Sequence, residues 1–352
     1  MNNIDNLALG VKNLLINCAK LRSGDKLLIV SEKESLGWYK DNAAKTVKNF
    51  ALSLGIFTKI VKVDAPGDQK LEEVESIIPD YDCTVFFARI GDQNRFERLR
   101  DKSKRVMSYA RSKEDLGSLF STINHQAMVE LKESINSIFL NTKKVEIFCP
   151  RGTELSGMML NTKYYKNPDV TVLRFPMLVP MPIIASSFSG KVLISNYLTS
   201  TGSEAYSPKI LKLSEVVTVI LSKGRITNVL GLESDIINFN KHYNFVSEKF
   251  NLDRNNVHSW HAGIHPATKY EKPIDLDPDQ WANSIFGNPN YVHFHTCGAM
   301  PPGEICWMVK DPTIKVDNKA LWNSGVLMVK HFDATKKSLE KWSELDNLFH
   351  LS

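Results

Sequence analysis

The stretch "DKLLIVSEKESLGWYKDNAAKTVKNFALSLGIFTKIVKVD", residues 25–64, decides the fold class. Leu27–Val30 is a short, unbroken apolar run between charged residues. Such a run reads as a strand buried on both faces. Residues 38–54 then carry a helical pattern, which Gly55 ends. Residues 57–64 return to strand character. Strand, helix and strand at this spacing predict a parallel sheet with flanking helices. The alternation continues through "KLEEVESIIPDY" (70–81, helix), "CTVFFARI" (83–90, strand) and "KRVMSYA" (104–110, strand). The helix "NHQAMVELKESINSIFLN" (124–141) closes this region at about residue 142. There is no GxGxxG and no GxxxxGK[ST] to support a dinucleotide or P-loop site.

The character changes after residue 142. "KKVEIFCPRG" (143–152), "DVTVLRFP" (169–176), "GKVLISNYL" (190–198), "SEVVTVILSKGRITNVLG" (214–231) and "TIKVDNKALWNSGVLMV" (313–329) are short strand patterns with Gly and Asn turns. Helical periodicity appears at 233–250 and in an amphipathic segment at 335–351. The expected fold class is therefore α/β plus α+β. Residues 1–142 form a Rossmann-like α/β domain and residues 143–352 a β-rich domain that holds the site. A length of 352 residues agrees with two domains.

Composition removes several function classes. The net charge is +5, and basic residues are interspersed with acids as in "KLEEVE" and "KSLEKWSEL". No basic stripe with interleaved aromatics is present, which argues against nucleic acid. No segment approaches the roughly 20 apolar residues of a membrane helix. The first 21 residues lack the basic start and cleavage site of a signal peptide. The five cysteines (Cys18, Cys83, Cys149, Cys297, Cys306) form no CxxC pair, as expected of a cytoplasmic protein.

Five of the nine histidines fall between residues 258 and 295: His258, His261, His265, His293 and His295. Histidine is the commonest metal ligand and the usual base near neutral pH. In "YVHFHTCGAMPPGEICWMV" (291–309), strand alternation puts His293, His295 and Cys297 on one face. After a turn, Glu304, Cys306 and Met308 share a face of the returning strand. Whether the two faces coincide depends on register. A loop carrying His261 toward the strand pair is expected, because Gly263 and Pro266 disfavour a helix. His258 and His265 read as surface or hydrogen-bonding residues. A Cys–His nucleophile at Cys297 or Cys306 is conceivable but has no evident third group.

The order of these segments resembles the metallo-aminopeptidases of the aminopeptidase T and S type and their iron-dependent relative, 2,5-dihydroxypyridine dioxygenase. "LRSGDKLLIVSE" is similar to the opening strand of that family's α/β domain, and "CPRGTELSG" to its Gly-Thr-Asp-Leu turn. "HAGIHP" resembles the Gly-Ile-Gly-x-Asn-Pro loop, which places His261 at a metal-ligand position. "YVHFHTCG" resembles the strand with a metal-binding histidine, matched by His293. "EICWMVKDPTIKVDNK" resembles the His-x-Asp segment, but with Cys306 and Met308 at its ligand positions. The Pro-Ser-Gly-Glu motif is replaced by "RFPMLVPMPII", with Met177, Leu178 and Val179 after Pro176.

The resemblance implies an enzyme with a divalent metal on His261 and His293, and His295, on the same strand face as His293, is the expected third ligand. Fe(II) is the first expectation, and Zn, Mn and Cu are the alternatives. Glu304 and Cys306 are the candidate catalytic side chains, although Glu154 could also supply the carboxylate. The implied reaction is oxygenation of a small aromatic or amino-acid-derived molecule. The alternatives are an aminopeptidase or other hydrolase and a metal-free member that binds a peptide or small molecule. The resemblance also implies a homodimer.

Overall fold

The computed structural model describes residues 3–69, 71–92, 95, 101–161, 171–200, 206–299 and 302–350. The chain divides into two compact units. The first comprises residues 1–130, 168–178 and 344–351. It is built on a parallel five-stranded sheet of β1 (Lys26–Glu32), β2 (Phe57–Val63), β3 (Cys83–Phe87), β4 (Lys104–Ser108) and β7 (Leu173–Phe175), in the order β2-β1-β3-β4-β7. β1 lies between β2 and β3, with Ile29 opposite Ile60 and Val85. Its apolar run, Leu27–Val30, is fully buried, as a parallel strand covered on both faces requires. The helix Asp41–Ser53 turns Ala43, Ala44, Val47 and Ala51 inward. Gly55 then adopts φ 74°, a left-handed turn that glycine enters without strain.

The strand at 173–175, expected in the second domain, belongs to this first sheet. It pairs in parallel with β4, Leu173 opposite Val106, and seats Phe175 in the first core. Its hydrophobicity alone could not say which sheet it would complete.

The second unit comprises residues 131–167 and 179–343, with Ser352. An antiparallel eight-stranded sheet contains β5 (Lys144–Phe148), β6 (Glu154–Met158), β9 (Ser189–Ile194), β12 (Val217–Ser222), β13 (Arg225–Leu230), β17 (Thr313–Val316), β18 (Lys319–Asn323) and β19 (Val326–Leu327). Its order is β13-β12-β9-β6-β5-β17-β18-β19. A smaller antiparallel sheet has the order β16-β15-β14-β8, from β8 (Ile183–Ile184), β14 (Val257–Ala262), β15 (Tyr291–Cys297) and β16 (Glu304–Lys310). β10 (Tyr197–Leu198) and β11 (Leu211–Lys212) form a separate pair. The expected α/β plus α+β architecture is present.

The smaller sheet positions the histidines. One of its faces carries Trp260, Phe294 and Trp307, all fully buried. Trp260 packs edge-on against Phe139 and Phe188. The helix Glu233–Phe250 holds Tyr243 against this face, where its hydroxyl accepts a 2.6 Å hydrogen bond from Trp307 Nε1 and meets Thr296 Oγ1. Because strand side chains alternate, this anchoring fixes which residues face the other way. The C-terminal segment expected as one helix is two, Asp333–Lys341 and Ser343–His350, separated by an extended Trp342.

Candidate functional site

On the opposite face of the smaller sheet, register answers the question that the sequence left open. His293 pairs with Met308, His295 with Cys306 and Cys297 with Glu304. The two polar faces therefore coincide. His261 pairs with His293 on the other side. His261 is thus not on a loop, as expected, but on β14, which is hydrogen-bonded to both β15 and β8. Gly263 and Pro266 fall just beyond the strand end and do not interrupt it.

The three candidate metal ligands come together. His261 Nε2 and His295 Nε2 are 2.7 Å apart, a hydrogen bond in which one nitrogen donates and the other accepts. Their rings lie nearly parallel at 9°, with centroids 4.8 Å apart. His295 Nδ1 is hydrogen-bonded to Glu304 Oε1. Glu304, not Glu154, is therefore the carboxylate that lies beside the histidines; the Glu154 side chain is 70% exposed beside Lys191 on the larger sheet. His293 lies beside His261, with centroids 5.7 Å apart. Among the described residues neither of its ring nitrogens meets a strict hydrogen-bond geometry, and the backbone of Phe286 is the polar group beside it.

Burial dominates the electrostatics here. It pushes the His293 imidazole down to about 3, the nearby His295 adds to this, and the backbone at Phe286 works weakly against it. His293 is therefore neutral at ordinary pH. Burial, followed by the Glu304 charge, pushes the Cys306 thiol well above its usual range. Its Sγ contacts the carbonyl of Trp307 at 3.7 Å. The structure thus does not bond Cys306 to a histidine, and a thiol held protonated is a poor nucleophile. Burial likewise raises Cys297 to about 11. His258 lies at the far end of β14, where Nε2 meets Asn256 Nδ2 at 3.0 Å. His265 is fully buried after the strand.

One participant carried no sequence signal. Phe286 follows the helix Pro278–Ile285 and caps the histidines. Its ring centroid is 4.2 Å from His293, 4.8 Å from His261 and 6.0 Å from His295. The same helix contributes Trp281, Ala282 and Ile285 to an apolar cluster with Tyr197 and Met308. Met308, at an expected ligand position, is thus packed as a hydrophobe. Tertiary packing alone brings Phe286 here, from a segment that no motif in the sequence singles out.

The described residues as placed form no metal-ligand cluster. Among the described residues no three His, Cys, Asp or Glu side chains converge as ligands would. Metal–nitrogen bonds of about 2.0–2.1 Å keep two ligating nitrogens about 2.9 Å apart even at a right angle. The 2.7 Å contact between His261 and His295 is shorter and is a direct hydrogen bond. Glu304 is engaged by His295 and adds no independent ligand.

No family model and no curated protein matches the sequence. Solved structures do. The 2,5-dihydroxypyridine dioxygenase of Pseudomonas putida aligns over 95% of this chain and 99% of its own, with TM-score 0.61 and 11% identity. Wild-type AmpT of Thermus thermophilus aligns over 93% of this chain and 100% of its own, with TM-score 0.50 and 9% identity. The chain shares their fold. At these identities the likeness concerns architecture alone. No helix among the described residues is long and apolar enough to cross a membrane.

Proposed function

We propose that this chain is a metal-independent member of its fold that binds a small molecule at the histidine face and transfers a proton there. The hydrogen-bonded series His261–His295–Glu304 carries this reading. Glu304 orients His295 through Nδ1, and His295 in turn holds Nε2 of His261. A base whose ring is fixed by a carboxylate is the usual preparation for general acid–base work. The neutral His293 and the ring of Phe286 provide a largely apolar wall beside it.

The competing reading is a single-metal oxygenase or hydrolase with iron, zinc or manganese on His261, His293 and His295. Its support is that the two Nε2 atoms face one another while a carboxylate backs His295, an arrangement common around metal-bound histidines. Elemental analysis of untagged protein, with equilibrium dialysis against Fe(II), Zn(II) and Mn(II), decides between them. The metal-independent reading expects trace metal only, and nitrogen NMR showing one protonated and one unprotonated Nε2 in the His261–His295 pair. One equivalent of metal, lost in His261→Ala and His295→Ala, would overturn it.

A further inference from the structure

A second site lies in the first unit, at the amino-terminal ends of the parallel strands. Two adjoining clefts of about 590 and 550 Å³ open there. Lys20, Lys102, Ser103 and Lys104 line both and form their common wall. We propose that this wall binds a small molecule carrying a phosphate group.

Charge carries the first part of the argument. The larger cleft adds Arg22 and Lys26 to the three lysines. Its carboxylates are mostly committed to the backbone: Asp25 accepts from the amide of Arg22 and Asp82 from that of Lys26, each at 2.8 Å. The cleft thus sets five cations against three carboxylates, of which Asp80 has no such bond among the described residues. On the second cleft, Asp101 accepts from Arg105 and from the amide of Ser103. Among the described residues neither Lys20 nor Lys102 has an ion-pair partner. A concave surface with a surplus of one sign focuses its field on whatever enters.

Three further observations distinguish this wall from an ordinary solvated face. Ser103 is 5% exposed, yet among the described residues its Oγ has no hydrogen-bond partner. A buried hydroxyl is ordinarily satisfied, and rotation of this side chain toward the cleft would let a phosphate oxygen accept its proton. Lys20 adopts a left-handed φ of 57°, uncommon for a residue with a Cβ. Lys104 Nζ donates to the carbonyl of Ala19 at 3.3 Å, holding its ammonium at the cleft. Flexible ammonium groups, a fixed hydroxyl and a site within the small-molecule size range suit a tetrahedral, multiply charged group. This inference is independent of the proposed proton transfer, because every residue named belongs to the first unit.

Calorimetric titration of inorganic phosphate into the full-length protein, at low and constant ionic strength, tests the proposal. One saturable equivalent is expected. Lys102→Gln/Lys104→Gln should weaken it about tenfold or more, and Ser103→Ala about threefold. Lys337→Gln, a surface control, should leave it unchanged. Glycerol 3-phosphate in a parallel titration separates the sources: tighter binding than inorganic phosphate assigns a phosphate ester, and equal or weaker binding assigns the free ion. Circular-dichroism melts establish that each variant is folded. Absence of saturable binding in wild type, or equal affinity in the folded double variant, would overturn the proposal.

Discussion

The imidazole of His295 holds two hydrogen bonds at once, to His261 through Nε2 and to Glu304 through Nδ1. Glu304 is 3% exposed, so its carboxyl depends on that ring. Replacing one partner strands the other in an apolar setting, whereas replacing both removes the debt. His295→Leu should therefore destabilise by about 3 kcal/mol. His295→Leu/Glu304→Leu should recover much of that loss in urea denaturation, and additive losses would contradict the pairing. His242 gives a prediction in pH. It is 5% exposed, and burial holds its imidazole down to about 4. The unfolded chain takes up this proton near 6.5 and the folded chain only near 4, so stability is full above about 6.5 and declines as pH falls toward 4. Between pH 7 and pH 5 wild type should lose about 2 kcal/mol more than His242→Phe. Urea midpoints at the two pH values measure this directly.

At the scale of elements, the close approach of β14 to the capping helix rests on one glycine. A Cβ on Gly263 would lie 2.2 Å from the backbone carbon of Gly287 and 2.4 Å from the amide of Asn288. Gly263→Ala must push the end of the helix Pro278–Ile285 outward, taking Phe286 off the histidines. We expect a loss of about 2 kcal/mol and changed NMR shifts for His261 and His293. Unchanged shifts would mean that the cap moves independently of this contact. Much at this scale was legible. The alternation in 25–64, the helix at 233–250 and the shared face of His293 and His295 follow from local periodicity. Pairing was not legible, because it is chosen by tertiary contacts. The coincidence of the His293/His295 and Cys306/Met308 faces, the strand under His261, the choice of Glu304 over Glu154 and the arrival of Phe286 all depend on which segments meet.

The whole molecule shows the same limit. The expected boundary at residue 142 follows a change in local pattern, yet the first unit recruits residues 168–178 and 344–351 from far along the chain. A fragment of residues 1–142 lacks β7 and leaves the outer edge of β4 unpaired. Unpaired parallel edges invite association. This fragment should elute as aggregate in size-exclusion chromatography, and a stable monomer would show that β7 is dispensable. The small sheet also bears on how this fold can diversify. Its register is set by the face bearing Trp260, Phe294 and Trp307, while the histidines sit on the other face. Reactive groups can thus be exchanged by point substitution, with the backbone serving as an unchanged socket. Cys306→His/Met308→Asp would place a His-x-Asp pair opposite His295 and His293. Gain of one equivalent of Zn(II) in equilibrium dialysis, absent from the parent, would mark the distance between two chemistries as two codons.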